Sequence, residues 1–130
     1  MIALPVTSTV ASILAIVMFP MTLQISIRRA ALGDVVFGDA DDAALRRRVR
    51  AFGNFVEYVP LCLVLLSLME AQGASFLWLW MAGGLLLVGR IIHALGMLFA
   101  KSPAPRVVAM VMTYGSFLIP AGWLLANPRG

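Results

Sequence analysis

Four apolar blocks, each long enough to cross about 30 Å of hydrocarbon as a helix, constrain this chain more than any other feature. They cover about residues 2–27, 50–71, 76–100 and 106–126. With 62% hydrophobic and 12% charged residues, and a mean hydropathy of +0.96, the chain lies well outside the range of a water-soluble domain. The expected fold is an all-α membrane protein, a single four-helix transmembrane domain over 1–130, with the bilayer supplying most of the burial. The net charge of +4 raises nucleic acid as a partner, but the ten basic residues lie mostly beside apolar blocks, where they set topology and meet anionic headgroups. No nucleic-acid partner is expected. Cys62 is the only cysteine, which excludes an internal disulfide and a thiol cluster for a metal, and no metal site is expected.

The first block has no charge before Arg28 and so lacks the basic leader of a cleaved signal peptide. It is expected to stay as a helix, bent at Pro20 and closed by Arg28 and Arg29. Residues Gly33 to Ala44 hold two glycines and four aspartates, which predicts a solvated loop with Asp41 or Asp42 capping the next helix. That helix is expected to start among Ala43 to Arg46, before the membrane, and to end at a short turn formed by Glu70, Gln72 and Gly73. The third block opens with an aromatic cluster suited to the interface. Its Ala82, Gly89 and Gly96 recur every seven residues as a stripe for close helix contact. The connector Lys101 to Arg106 contains two prolines and ends it. Basic residues concentrate in loop 28–49 and connector 101–106, against Arg129 alone on the other side. The positive-inside rule then makes both connectors cytoplasmic and both termini external.

The stretch from Arg46 to Pro60 carries an arginine run into an apolar segment. On a helix, Arg46, Arg50, Asn54 and Glu57 share one face. Polar and ionisable groups at that depth are costly unless they face a protein interior or a wet cavity. With Arg50 at the surface, Glu57 lies about 10 Å deeper at 1.5 Å per residue. On the returning third helix, His93 reaches a comparable depth and Arg90 lies slightly deeper, at about 15 Å. Arg106 begins the fourth helix at the same surface. Arg50, Asn54, Glu57, Arg90, His93 and Arg106 therefore converge on one half of the bundle. Each also has a plain reading. Arg46 to Arg48 serve as a topology signal, Glu57 and Arg90 as a buried structural pair, Asn54 as a tie between helices, and Tyr58, Tyr114, Cys62 and His93 as packing residues. A channel would need more polar residues along the full depth.

Arg50-Ala51, Asn54, Glu57 and Pro60 resemble the Arg-Ala-x-x-Asn-x-x-Glu and proline pattern of the membrane-associated proteins in eicosanoid and glutathione metabolism, the MAPEG family. Tyr58 resembles the cysteinyl-leukotriene synthase branch. Gly89-Arg90 and His93 resemble the prostaglandin E synthase branch, and Arg106 follows thirteen residues later at that branch's thiol-side arginine. As a whole the chain resembles a bacterial-like relative of the microsomal glutathione transferases and prostaglandin E synthases. The resemblance implies a homotrimer in contact with membrane lipids, glutathione bound on the cytoplasmic side between subunits, and a lipophilic small-molecule substrate arriving from the bilayer. Arg50, Asn54, Glu57, Tyr58, Arg90 and His93 would bind glutathione, and Arg106 would be catalytic by stabilising the thiolate. The implied activity is conjugation of glutathione to a lipophilic electrophile, or reduction of a hydroperoxide. Gly53 and Met97 stand where the prostaglandin branch has arginine and tyrosine, and Val107 and Met110 replace a hydroxyl and a phenol. Tyr114, one turn beyond Met110, is a candidate replacement for that phenol. These departures leave open an alternative, a non-enzymatic trimer of the same scaffold that binds lipid, another small anion or a protein partner.

Overall fold

The computed structural model describes residues 3–33 and 35–128; Ile2 of the first block, Asp34 of the loop and Arg129 of the topology argument lie outside the described residues. Four helices follow in order, α1 (Pro5–Ala31), α2 (Ala43–Ala71), α3 (Phe76–Phe99) and α4 (Ala104–Ala126). Each is long and apolar enough to cross a membrane, and no strand occurs among the described residues. The chain is an all-α, four-span integral membrane bundle. In it α1 and α4 each pack on both α2 and α3.

The helix ends differ from the sequence expectations for local reasons. α1 runs unbroken through Pro20 to Ala31, so Arg28 and Arg29 occupy its last turn rather than ending it. Cations there complement the helix dipole. Asp42, one of the two expected caps, does cap α2, accepting from the Leu45 N–H at 2.6 Å. α4 begins at Ala104 with Pro105 in its first turn. Proline suits that position because its missing N–H has no intrahelical partner there. Arg106 is thereby inside the helix, its N–H bonded to the Pro103 carbonyl at 3.0 Å.

The expected turn forms, with the Glu70 carbonyl accepting from the Gly73 N–H at 2.9 Å, but the Glu70 side chain has a further role. Glu70 is the penultimate residue of α2 and is buried, and its carboxylate accepts from the Val6 and Thr7 N–H groups, both at 2.8 Å. These are two of the first N–H groups of α1, a helix whose own N-cap, Leu4, has no side chain able to bond them.

The stripe of small residues on α3 is used inside the chain. A Cβ at Gly89 would stand 3.1 Å from the Ala109 carbonyl oxygen and 3.1 Å from Met112 Cβ, and one at Gly96 would stand 3.2 Å from Arg106 Cγ. Gly89 and Gly96 therefore bring α4 against α3 rather than offering α3 to another subunit. On the α1 side a Cβ at Gly83 would meet Val10 at 2.8 Å.

The α1–α2 loop is tied down by its own charges. Arg28 grips Asp42 through Nε at 3.1 Å and Nη2 at 2.6 Å. Arg46 bonds Asp39 at 2.6 Å and Asp41 at 3.4 Å, while Arg29 donates to the Val35, Val36 and Gly38 carbonyls. Arg46 thus serves the loop rather than the strip below it. The Arg28 guanidinium, and then the Leu45 N–H, hold the Asp42 carboxyl at about 2. A carboxyl whose folded pKa lies below its unfolded value of about 3.9 adds stability above about pH 4, and this is lost as pH falls through the folded pKa. Protection factors over residues 35–42 in detergent, taken from hydrogen exchange relative to the intrinsic rate at each pH, should therefore stay constant down to about pH 5 and fall only below about pH 4. Loosening already at pH 6 would show that the Arg28–Asp42 pair does not hold the loop.

Candidate functional site

The α-helical period of α2 brings Arg50, Gly53, Asn54 and Glu57 to one face, and α3 places His93 and Met97 opposite them. Together these six residues line a cavity of about 350 Å³, within the size range of small-ligand pockets. Arg50 and Glu57 are exposed, Asn54 is half-buried and His93 is buried. Neither Arg50 nor Glu57 enters an ion pair among the described residues. The cavity therefore presents a free cation and a free carboxylate on either side of an amide, with an imidazole facing them.

Arg90 stands behind this wall rather than on it. It is 1% exposed. Its Nη1 donates to Asn54 Oδ1 at 2.5 Å and to the Asn54 carbonyl at 3.2 Å. Its Nη2 donates to Thr113 Oγ1 at 2.5 Å and lies 3.8 Å from the Met110 sulfur. The Glu57–Arg90 pair of the plain reading does not form: Arg90 is buried on the inner side of α2, where it bonds Asn54, and Glu57 is exposed on the cavity side. Tyr58 also lies behind the cavity, with the Arg90 guanidinium carbon 5.7 Å from its ring centroid. Tyr58 packs in turn on Tyr114 and Phe117. Tyr114 belongs to this aromatic cluster, which accounts for its ring without a role beside Arg106.

Thr113 and Ser116 were not legible as partners of Arg90 and Cys62. Thr113 Oγ1 donates to the Ala109 carbonyl at 2.8 Å while accepting from Arg90. Ser116 Oγ lies 3.3 Å from the buried Cys62 sulfur. Their one signal in the sequence is two aliphatic hydroxyls three residues apart in a helix whose other polar side chains are Arg106, Tyr114 and Trp123.

Arg106 faces a second cavity, of about 470 Å³, lined also by Arg47, Met97 and Lys101. Met97 is common to both cavities, and Arg106 Nη1 lies 3.8 Å from its sulfur. The sequence places Arg106 at the depth of the other residues; the structure adds a thioether between them. No group of three or more histidine, cysteine or carboxylate residues able to hold a metal occurs among the described residues.

Two Escherichia coli proteins, each called inner membrane protein YecN, from strains K12 and O6:H1, are 39% identical over 62 residues, which is 48% of this chain and 47% of the relative. The match thus spans about half the length of those curated relatives. No solved structure matches. The profile of the MAPEG family matches residues 7–126, a span that takes in α2, α3, α4 and all but the first two residues of α1. On that match and on its four-span architecture, the chain belongs to the MAPEG family.

Proposed function

We propose that the protein is a glutathione-dependent membrane enzyme that conjugates glutathione to a lipophilic electrophile or uses it to reduce a hydroperoxide. The observation that carries this reading is the cavity in which an unpaired Arg50 and an unpaired Glu57 flank Asn54. Glutathione is a peptide with an ammonium group, two carboxylates and a thiol, and this set of side chains complements it. Glu57 suits the ammonium, Arg50 a carboxylate, and Asn54 and His93 the amide groups between. Arg90 and Tyr58 support the site from behind, with Arg90 fixing the orientation of the Asn54 amide. A peptide lying along the cavity and past Met97 would bring its sulfur toward Arg106. The chemistry supplied by the bound tripeptide is that of its thiol, and a fixed cation nearby favours the thiolate. Family membership supports glutathione as the co-substrate, a homotrimeric assembly and a lipophilic substrate from the bilayer. The excess of arginine and lysine on the two connectors supports a cytoplasmic site with external termini.

The thiol itself reports on Arg106. Titrated by its thiolate absorbance in the complex, glutathione should show a pKa below the free value of about 8.5. Arg106→Ala should return it toward that value. The same pKa with and without Arg106 would remove Arg106 from the reacting end. A non-enzymatic trimer remains the competing reading, and the observation in its favour is Met97 standing between Arg106 and the polar cavity. That reading expects binding of a small anion without turnover.

A further inference from the structure

A different face of α3 from the one carrying His93 and Met97 forms a second, elongated groove. Between α1 and α3 lies an apolar cavity of about 330 Å³ walled by Val17, Met21, Ile91 and Leu95, with Gln24 and Leu98 also lining it. Gln24 and Leu98 also line a cavity of about 490 Å³ that contains Arg47, Arg48 and Asp42. The two cavities thus adjoin at Gln24 and Leu98, and the groove they form differs sharply along its length. α1 and α3 both run toward the basic end of the bundle, so the apolar part extends about 10 Å along seven residues of each helix.

The mouth carries net positive charge. Asp42 is neutralised by Arg28 and caps Leu45. Arg48 gives Nη1 to the Gln24 carbonyl at 2.9 Å, and neither it nor Arg47 enters an ion pair among the described residues. The polar amide Gln24 marks the passage from charge to hydrocarbon. Positive charge at the mouth and an open apolar groove about 10 Å long together define the occupant.

We propose that this groove holds one anionic membrane phospholipid, its phosphate on Arg47 and Arg48 and an acyl chain between α1 and α3. Lipid tails are as apolar as the groove wall, so the chain gains little by leaving the bilayer. Shape admits the chain, and the two arginines select the headgroup. Arg47 also lines the cavity that Arg106 faces, but neither arginine of the mouth lines the Arg50–His93 cavity, so the lipid site does not depend on glutathione binding there.

The test is native mass spectrometry of the full chain in detergent, offered equimolar phosphatidylglycerol and phosphatidylcholine with identical acyl chains. One basic residue near an anionic headgroup contributes about 1 kcal/mol, or about fivefold. Phosphatidylglycerol should therefore be retained over phosphatidylcholine by at least about tenfold. Arg47 is exposed, so its replacement leaves the helix packing in place. Arg47→Gln should lower the preference about fivefold and Arg47→Lys should keep most of it. Equal retention of the two lipids overturns the proposal, as does an unchanged preference in Arg47→Gln. Glycerophosphoglycerol, which has the headgroup without chains, and inorganic phosphate should not displace the lipid at millimolar concentration. Displacement by either would make this a site for a free anion and would also overturn it.

Discussion

Asn54→Ala is expected to destabilise the protein in detergent by about 1.5–3 kcal/mol and to abolish ligand binding at the same time. The cost arises behind the cavity. Arg90 is a fully buried cation with no carboxylate partner among the described residues, and its charge is met by Asn54 Oδ1, the Asn54 carbonyl, Thr113 Oγ1 and the face of Tyr58. Removing one of the two shortest of these acceptors strands a guanidinium in low dielectric, and a buried charge that loses a partner costs far more than a neutral group. A second substitution separates this account from simple loss of packing. Arg90→Met added to Asn54→Ala removes the stranded charge and should recover part of the lost stability. Thermal unfolding of the wild type, both single variants and the double variant measures the coupling. Additive losses would show that Asn54 and Arg90 do not act as a unit.

Glu70→Ala is the second large effect. The carboxylate joins the end of α2 to the start of α1 through two charge-assisted bonds at 2.8 Å, at a place where Val6 is 2% exposed. Its loss leaves two helix N-terminal donors without a partner and removes an anion from the positive end of the α1 dipole, at a cost of about 3 kcal/mol. Glu70→Gln keeps one acceptor oxygen and should lose about half as much. Hydrogen exchange locates the effect, because amides in the first turns of α1 should lose protection while those in α3 and α4 keep theirs. Unchanged protection of Val6 and Thr7 in Glu70→Ala would mean that water or another group already satisfies them.

These two residues also show how far the sequence could be read. The four spans and the face shared by Arg50, Asn54 and Glu57 were legible because hydropathy and the helical period are local properties. The cavity confirms that this face meets His93. Glu70 was read only as part of a turn because the donors its carboxylate accepts from lie on another helix, 64 and 63 residues away along the chain, and no local rule connects them. The same limit explains Arg90. An acid is the expected partner of a buried arginine, but the packing of α3 on α2 sets an asparagine in front of it and Glu57 beyond reach. The period of Gly89 and Gly96 identified a close-packing face without saying that α4 of the same chain fills it. Depth along the helices put Arg106 level with the other site residues, yet only side-chain packing shows Met97 between them.

The central claim is that the Arg50–His93 cavity recognises the peptide part of glutathione, and titration calorimetry on the detergent-purified protein tests it most directly. The side-chain set predicts binding of glutathione at or below millimolar concentration. Glu57→Gln, at an exposed position outside the Arg90 network, should keep the wild-type unfolding temperature and weaken binding about tenfold or more, as expected for loss of a charge-assisted bond. Absence of binding heat from the wild-type protein at millimolar glutathione, or equal affinity in Glu57→Gln, would contradict it.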